Sequence, residues 1–390
     1  MTKEDYADQI KYPHLFLREW PFQTVPSPSF HEVWAGRHEL KRKLIEMFDR
    51  VQQRSPSAIY LLWGFFGAGK THSLAHFRWR LSRDRKNRAF VGYHEFPVST
   101  KGLVEIYKGF MNGVDFQEIE RVVKVVCDDL RKRFKDGAMD ALGGAISQGN
   151  EDFANAIAAL AEGRETTTIR RWMKAERVHL PELRRIPIAK RIESDEDVVY
   201  MFGALVRLMT YDCDRLSTFK CVIWMIDDFH EIGQLKEKYS NAVNHGLTSI
   251  FNNCPERFCL VLAFTSRSVM AIRGLVSDAL FERLPWDPYA AVSPLSKEEA
   301  GGFILDLLKQ FRSDKTPPDE FFPFSRESIE RIVEFTAENT MLLPRDLMRV
   351  FSEVLDKAEP LIKAGKLERI EPDYSAEILR EKRSSADSPG

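Results

Sequence analysis

Long apolar runs are missing from this chain. No stretch approaches the roughly 20 consecutive apolar residues that a helix needs to cross a bilayer. The segment from Met1 to Gln9 is polar and lacks the apolar core of a secretory signal. A membrane partner is therefore not expected, and a cytoplasmic location is. Cysteine is scarce too, with five in 390 residues: Cys127, Cys213, Cys221, Cys254 and Cys259. No CxxC pair occurs, and no His or second Cys pair accompanies Cys254 and Cys259 at zinc spacing. Reduced, mostly buried thiols are expected rather than a disulfide framework. A surplus of charge is lacking as well, with 57 Lys and Arg against 58 Asp and Glu. Any attraction to nucleic acid must then come from a local cluster. Internal repeats and low-complexity tracts are absent. The length exceeds one small core and suggests two domains or one elaborated domain.

What is present begins with an aromatic stretch over residues 1–30, punctuated by Pro13, Pro21, Pro26 and Pro28. It reads as an extended arm lying on another part of the molecule. From Glu32 the spacing of Leu40, Leu44, Met47 and Val51 is helical, and Ser55-Pro56-Ser57 stops it. Ala58 to Trp63 is a short, wholly apolar run, the pattern of a strand buried on both faces. Similar strands are expected over 88–96, 221–226 and 258–264, separated by helical text. This argues for an α/β fold with a parallel sheet flanked by helices. After Trp286-Asp287-Pro288 the chain reads as helices near 296–312, 325–338 and 344–364. The charged, Ser-rich residues 379–390 read as a flexible tail.

Between the first strand and the next helix stands Gly64-Phe65-Phe66-Gly67-Ala68-Gly69-Lys70-Thr71, a fit to G-x-x-x-x-G-K-[ST]. Each element has a physical reason. Glycines let backbone N–H groups turn inward around phosphate oxygens with no side chain in the way. Lys70 supplies a point charge for the β and γ phosphates, and the Thr71 hydroxyl ligates Mg²⁺. The positive end of the following helix points at the anion. Average residue frequencies give a chance match in roughly one chain in a hundred of this length. The strand before and the helix after supply the context that the motif requires. ATP with Mg²⁺ is the expected ligand.

A phosphate loop needs a partner carboxylate at the end of a neighbouring buried strand. The run Cys221 to Ile226 ends in Asp227-Asp228. Asp227 is the expected Mg²⁺-side carboxylate, and Asp228 the candidate for orienting or activating the attacking water. Many active ATPases place Glu at the second position. Asp is one methylene shorter, which draws the carboxylate back by about 1.5 Å. Misplacement of that size costs around a hundredfold in rate, so slow hydrolysis is expected. Glu231 is an alternative base if the Phe229-His230 segment turns back towards the site.

Taken together these motifs resemble the AAA+ superfamily of P-loop ATPases. The resemblance is nearest to the branch of origin-recognition and helicase-loading ATPases and to the related STAND signalling ATPases. Val33-Trp34-Ala35-Gly36-Arg37-His38-Glu39-Leu40 is similar to the Gly-Arg-x-x-Glu-Leu segment that borders the adenine pocket in this branch. Val261 to Ser266 is similar to the sensor-1 strand, which implies that Thr265, or next Ser266, contacts the γ-phosphate or the water. Leu280-Phe281-Glu282-Arg283-Leu284 stands where the family carries an arginine that enters a neighbouring subunit's site, which implies Arg283 and a homo-oligomer. Leu342-Leu343-Pro344-Arg345-Asp346-Leu347 is similar to the Pro-Arg-x-Leu of the helical lid, where Arg345 would contact nucleotide. The helical segment around Ile169 to Met173 and Ile192 to Asp195 resembles the insert of ATP-binding proteins in BREX-type phage-defence islands.

The resemblance implies a nucleotide-binding domain over 31–290 with a helical insert about 110–210, and a helical lid over 291–378. Within Arg164 to Arg191, nine basic residues (Arg164, Arg170, Arg171, Lys174, Arg177, Arg184, Arg185, Lys190, Arg191) face three acidic ones (Glu165, Glu176, Glu182). With Trp172 among them, this stretch is the candidate surface for double-stranded DNA or for an acidic protein partner. A second cluster, Arg78, Arg80, Arg83, Arg85, Lys86 and Arg88, reads as ordinary surface. Two functions are therefore expected. One is a DNA-associated loader, remodeller or regulator in replication, transposition or antiviral defence. The other is a STAND-like ATP switch that recruits a protein effector without DNA.

Overall fold

A computed structural model describes residues 11–24, 28–53, 56–84, 88–213 and 218–386. The chain divides into two compact units. One consists of Arg42–Gly64 and Phe77–Ala291; the other of the chain up to Lys41, Phe65–His76 and the chain from Val292 on. The chain crosses from one to the other within helix α1 (His38–Gln52), after strand β1 (Ala58–Gly64), within helix α2 (Lys70–Arg83) and at Ala291.

The first unit is built on a sheet. Strands β2 (Ala89–Glu95), β3 (Cys221–Asp227), β4 (Phe258–Thr265) and β5 (Tyr289–Val292) join β1 in the order β2-β3-β4-β1-β5. The β2–β3, β3–β4 and β4–β1 pairs are parallel. The four expected strands are all present. β5 is an addition, and its four residues after Pro288 are too few for a pattern to be read. Every residue of β3 is buried, as its unbroken apolar text requires. Helices α3 (Leu103–Gly113), α4 (Phe116–Phe134), α5 (Glu151–Ala161), α6 (Thr166–Met173) and α7 (Asp195–Met209) make up the helical insert, and α8 (Glu237–Asn253) follows β3. Several start at legible caps. Asp115, Asn150 and Ser194 each accept a backbone N–H of the first turn, and Ser194 with Asp197 forms a reciprocal capping box.

The insert shares the core of the sheet. Trp224 of β3 is fully buried, with Phe110 of α3 and Phe202 of α7 at ring distances of 5.0 and 4.8 Å. Its indole N–H donates to His94 Nε2 at 2.9 Å. That ring stays a neutral acceptor because burial pushes its pKa down to about 4. On β2, Gly92 lets α3 approach closely: a Cβ there would lie 2.2 Å from the Phe110 ring.

The second unit is helical. Its elements are α9 (Lys297–Gln310), α10 (Arg326–Asn339), α11 (Pro344–Lys363) and α12 (Pro372–Ala386), the first three as expected. Residues 11–24 of the expected arm lie on these helices. Arg18 N–H donates to Phe311 O at 2.8 Å, Ser313 N–H to Phe16 O at 2.9 Å, and Trp20 Nε1 to Ser352 Oγ at 2.9 Å. Phe22 is buried between Phe324 and Phe351. Residues 1–10 and 25–27 of the expected arm lie outside the described residues.

Two boundaries differ from expectation. The tail placed at 379–390 is α-helical as far as Ala386, because Ile378 and Leu379 are buried and anchor α12 to the helical core; residues 387–390 are outside the described part. Where a nucleotide-binding domain over 31–290 was expected, residues up to Lys41 and Phe65–His76 group with the helices rather than with the sheet.

Candidate functional site

In the helical unit, the glycine-rich segment leaves β1 at Gly64 and enters α2 at Lys70. Gly67 and Gly69 have φ of +80° and +101°, the left-handed region that a side chain would strain. Ala68 N–H donates to Phe65 O at 3.1 Å, and Ser73 returns both its N–H and its hydroxyl to Gly69 O at 2.9 Å. A Cβ placed on Gly69 would meet nothing within 4 Å, so the turn borders open space. Lys70 is only 5 % exposed, and its ammonium donates to Phe65 O at 3.1 Å. Thr71, in the first turn of α2, is exposed. The loop thus has the curvature, the hollow and the cation of an anion cradle.

Arg345 reaches the same loop. At the start of α11 its N–H points to Gly67 O at 3.4 Å, and a Cβ on Gly67 would come within 3.2 Å of its own Cβ. Its guanidinium lies 4.3 Å from the centre of the exposed Phe66 ring, a cation–π contact. The expected lid arginine therefore stands on the loop, held by Phe66. Arg37 has a different setting. It donates to Ser293 O at 2.6 Å, its buried Nε has no acceptor among the described residues, and burial pulls its pKa down to about 10 against the raising effect of Glu299. The segment before it is tied to α2 by two imidazoles, His72 to Val33 O and His76 to His31 O, each at 2.9 Å. Trp34 lies against His76 with ring centres 5.1 Å apart. Carbonyl oxygens only accept, so each histidine presents an N–H to them.

In the sheet unit, the strand ends carry the acidic residues. Gly64 pairs in register with Thr265, and β3 runs beside β4 to end at Asp227. Asp227 is 1 % exposed. Its Oδ2 accepts the Tyr93 hydroxyl at 3.2 Å, and its Oδ1 accepts the Asp228 N–H at 2.9 Å. Burial first, then the Asp227 charge, raises the Tyr93 pKa well above the usual phenol range, so this hydroxyl is the donor. Asp228 has φ of +50° and starts a 3₁₀ turn over Phe229–Gln234. That turn brings the chain back: His230 Nδ1 faces the Thr265 N–H at 3.4 Å, and His230 Nε2 lies 3.4 Å from Glu231 Oε1. Asp228 Oδ1 is 3.8 Å from the same ring. Of the two sensor-1 candidates, Ser266 spends its hydroxyl on Ser268 O at 2.9 Å. Tyr93 and His230 were not singled out from sequence. A tyrosine near a strand end and a histidine between acids carry no spacing signature of their own.

Two expected surfaces look different once folded. Arg283 donates through Nε and Nη2 to Asn252 Oδ1 at 3.2 and 2.7 Å and through Nη1 to the Ala279 carbonyl, so α8 holds it. In the basic stretch, Arg164 pairs with Glu162, Arg170 with Glu120, Arg171 with Glu176 and Glu182, Arg185 with Glu165, Lys190 with Asp197, and Arg191 with Glu193. Glu120, Glu162, Glu193 and Asp197 lie outside the window counted in the sequence. Among the described residues, only Lys174, Arg177 and Arg184 of the nine lack a carboxylate at ion-pair distance. Trp172 is 2 % exposed and donates to Lys190 O, so it belongs to the core and offers no stacking face. Of the second cluster, Arg85 and Lys86 lie outside the described residues. Arg78 donates to Gly113 O and Arg88 pairs with Glu118.

No protein-family model matches the sequence, and no curated protein matches it. Solved structures that are similar include the Aeropyrum pernix ORC2 protein in its ADPNP–ADP complexes, at 11 % identity and TM-score 0.49, covering 93 % of this chain and 72 % of that one. Drosophila ORC bound to DNA is similar at 11 % identity and TM-score 0.48, over 99 % of this chain and 69 % of that one. Domain III of the Thermotoga maritima replication initiation protein DnaA is similar at 12 % identity and TM-score 0.42, over 92 % and 97 %. At such values the fold rests on the chain's own features: a mixed α/β unit with a five-stranded sheet, a glycine-rich loop directly after β1, and a helical C-terminal region.

Proposed function

We propose that this chain is an ATP-binding P-loop ATPase of the AAA+ type, slow in turnover, that works as a nucleotide-dependent switch. The observation that carries this reading is the loop 64–71, with two left-handed glycines, open space beside Gly69 and a lysine folded over the turn. In this role Phe65 to Thr71 present backbone N–H groups to the phosphates and Lys70 contributes the charge. Arg345 leaves the Phe66 ring to meet the nucleotide, and Arg37 braces the segment 33–37 from behind. Thr71 and Asp227 would hold Mg²⁺, since both offer the hard oxygen donors that this cation prefers. Bound with ATP, Mg²⁺ supplies counter-charge to the triphosphate. Asp228 is a poor match for a water-activating glutamate, being short and turned by its left-handed backbone, which supports slow hydrolysis.

The switch reading, with a protein effector as the partner of the ATP-bound state, is favoured by the neutralised insert. A DNA-associated role, in replication, transposition or phage defence, is the second reading and rests on Lys174, Arg177 and Arg184. An oligomer using Arg283 in trans would require that arginine to give up Asn252. Binding of a fluorescent ATP analogue, with ATPase rates measured with and without double-stranded DNA, tests these readings. Lys70→Ala is expected to weaken binding about 10- to 100-fold, the worth of a charge-assisted hydrogen bond; unchanged affinity would sink the phosphate-loop reading. Salt-sensitive DNA binding that disappears in Lys174→Glu/Arg177→Glu/Arg184→Glu would move the function to the second reading.

A further inference from the structure

Resting on the reading of loop 64–71 as an ATP site, we propose that the Phe66 side chain is a latch on Arg345. The ring holds the guanidinium, nucleotide has to displace it, and the contact thereby lowers the affinity for nucleotide.

The phosphate-loop pattern asks nothing of the side chain at position 66. The positions between its glycines have only to present backbone N–H groups, and a small or polar residue does that without placing a ring in water. Phe66 is nonetheless 69 % exposed. What its ring touches is Arg345. The guanidinium carbon lies 4.3 Å from the ring centre, inside the range of about 6 Å over which the negative face of a ring attracts a cation. Both residues belong to the helical unit. The next loop residue adds to the contact. The Arg345 N–H faces Gly67 O at 3.4 Å. A Cβ on Gly67 would lie 3.2 Å from Arg345 Cβ and 3.5 Å from its Cδ, so the glycine leaves the arginine stem its room.

The backbone at Arg345 is fixed. Pro344 opens α11, Leu342, Leu343 and Leu347 are buried, and the Leu295 N–H donates to Leu342 O at 2.9 Å. The side chain is not fixed in this way. Arg345 is exposed, and among the described residues no carboxylate stands at ion-pair distance from it. Its neighbour Asp346 pairs instead with Arg349, at 3.5 Å. The guanidinium can therefore swing on its own torsions while α11 stays in place.

Magnitudes decide which partner wins. An exposed cation–π contact is worth about two- to fivefold in an equilibrium constant. A charge-assisted hydrogen bond from a guanidinium to a phosphate is worth about 10- to 100-fold. The phosphate takes the arginine, and the ring subtracts its smaller share, because a contact that a ligand must displace lowers the affinity by its own worth. Phe66 touches the arginine and acts through it, as a positioning residue.

The affinity of the full chain for a fluorescent ATP analogue tests this, with mono-, di- and trifluorinated phenylalanines placed at position 66. Fluorine drains charge from the ring face and hardly alters its shape. Affinity is expected to rise stepwise along the series, by about two- to fivefold at its end. Phe66→Leu should show the same gain, and Phe66→Tyr, which keeps a π face, should lie nearer to wild type than to Phe66→Leu. In an Arg345→Met background the series should be flat, because no cation is left to release. The latch is overturned by a flat or falling series beside a normal Arg345, by weaker binding in Phe66→Leu, or by an equal gain in the Arg345→Met background. A wild type that binds no ATP analogue overturns the phosphate-loop reading and the latch with it. A wild type that binds the analogue and gives a flat series overturns the latch alone.

Discussion

Asp227 is held by donors that the sequence does not advertise. With 1 % exposure, its carboxylate accepts the Tyr93 hydroxyl and the Asp228 N–H. A buried acceptor that loses its donor incurs its desolvation cost, about 1–3 kcal/mol. Tyr93→Phe should therefore lower the urea unfolding free energy by about 1–2 kcal/mol. Part of that loss should vanish when Asp227→Asn is already present, because the two residues share one interaction. Strict additivity in the double-mutant cycle would show that they do not couple. Asp227 was legible because an acid ending an apolar strand is a spacing pattern. Tyr93 was not, because its partner lies 134 positions away and only the β2–β3 register brings them together.

Strands and helices with a clear period were readable at the scale of the element, and the exceptions have physical causes. The apolar runs of β1, β3 and β4 are buried on both faces, so composition alone marks them. β5 is too short to show a period. Helix α12 looked like a tail because only a few apolar positions, Ile378 and Leu379 among them, face the core. The basic stretch misled for a related reason: a window along the chain counts its own acids, whereas four of the partners lie outside it, three just beyond its ends and Glu120 50 positions from Arg170. The contact of β2 with α3 yields a prediction of its own. Gly92→Ala would put a methyl 2.2 Å from the Phe110 ring, an overpacking that costs about 1–3 kcal/mol. A lowered thermal midpoint is expected, with partial recovery in Gly92→Ala/Phe110→Leu. An unchanged midpoint would mean that α3 is free to shift.

For the whole molecule, the arm matters most to the helical unit. Leu15, Leu17 and Phe22 are 0–2 % exposed, and burying each is worth about 1.5–3 kcal/mol. Deleting residues 1–24 should cost several kcal/mol and expose Phe324 and Phe351, read as a lower urea midpoint and as binding of a hydrophobic dye. Unaltered midpoint and dye signal would show that the arm is dispensable. The sequence made it legible as a segment lying on something, but not on what. Its partners are some 290 to 330 positions downstream, as in Arg18 to Gln310 and Trp20 to Ser352.

That separation sets an order on biosynthesis. The arm leaves the ribosome well before its seat, which follows some 290 to 330 residues later. At about 5–20 residues per second, Phe22 waits on the order of 20–60 s with its ring in water, while the sheet can already be complete. A growing chain thus carries an unsheltered aromatic tether until Phe324 and Phe351 emerge, and a chaperone that shields it during that interval would raise the yield of active protein.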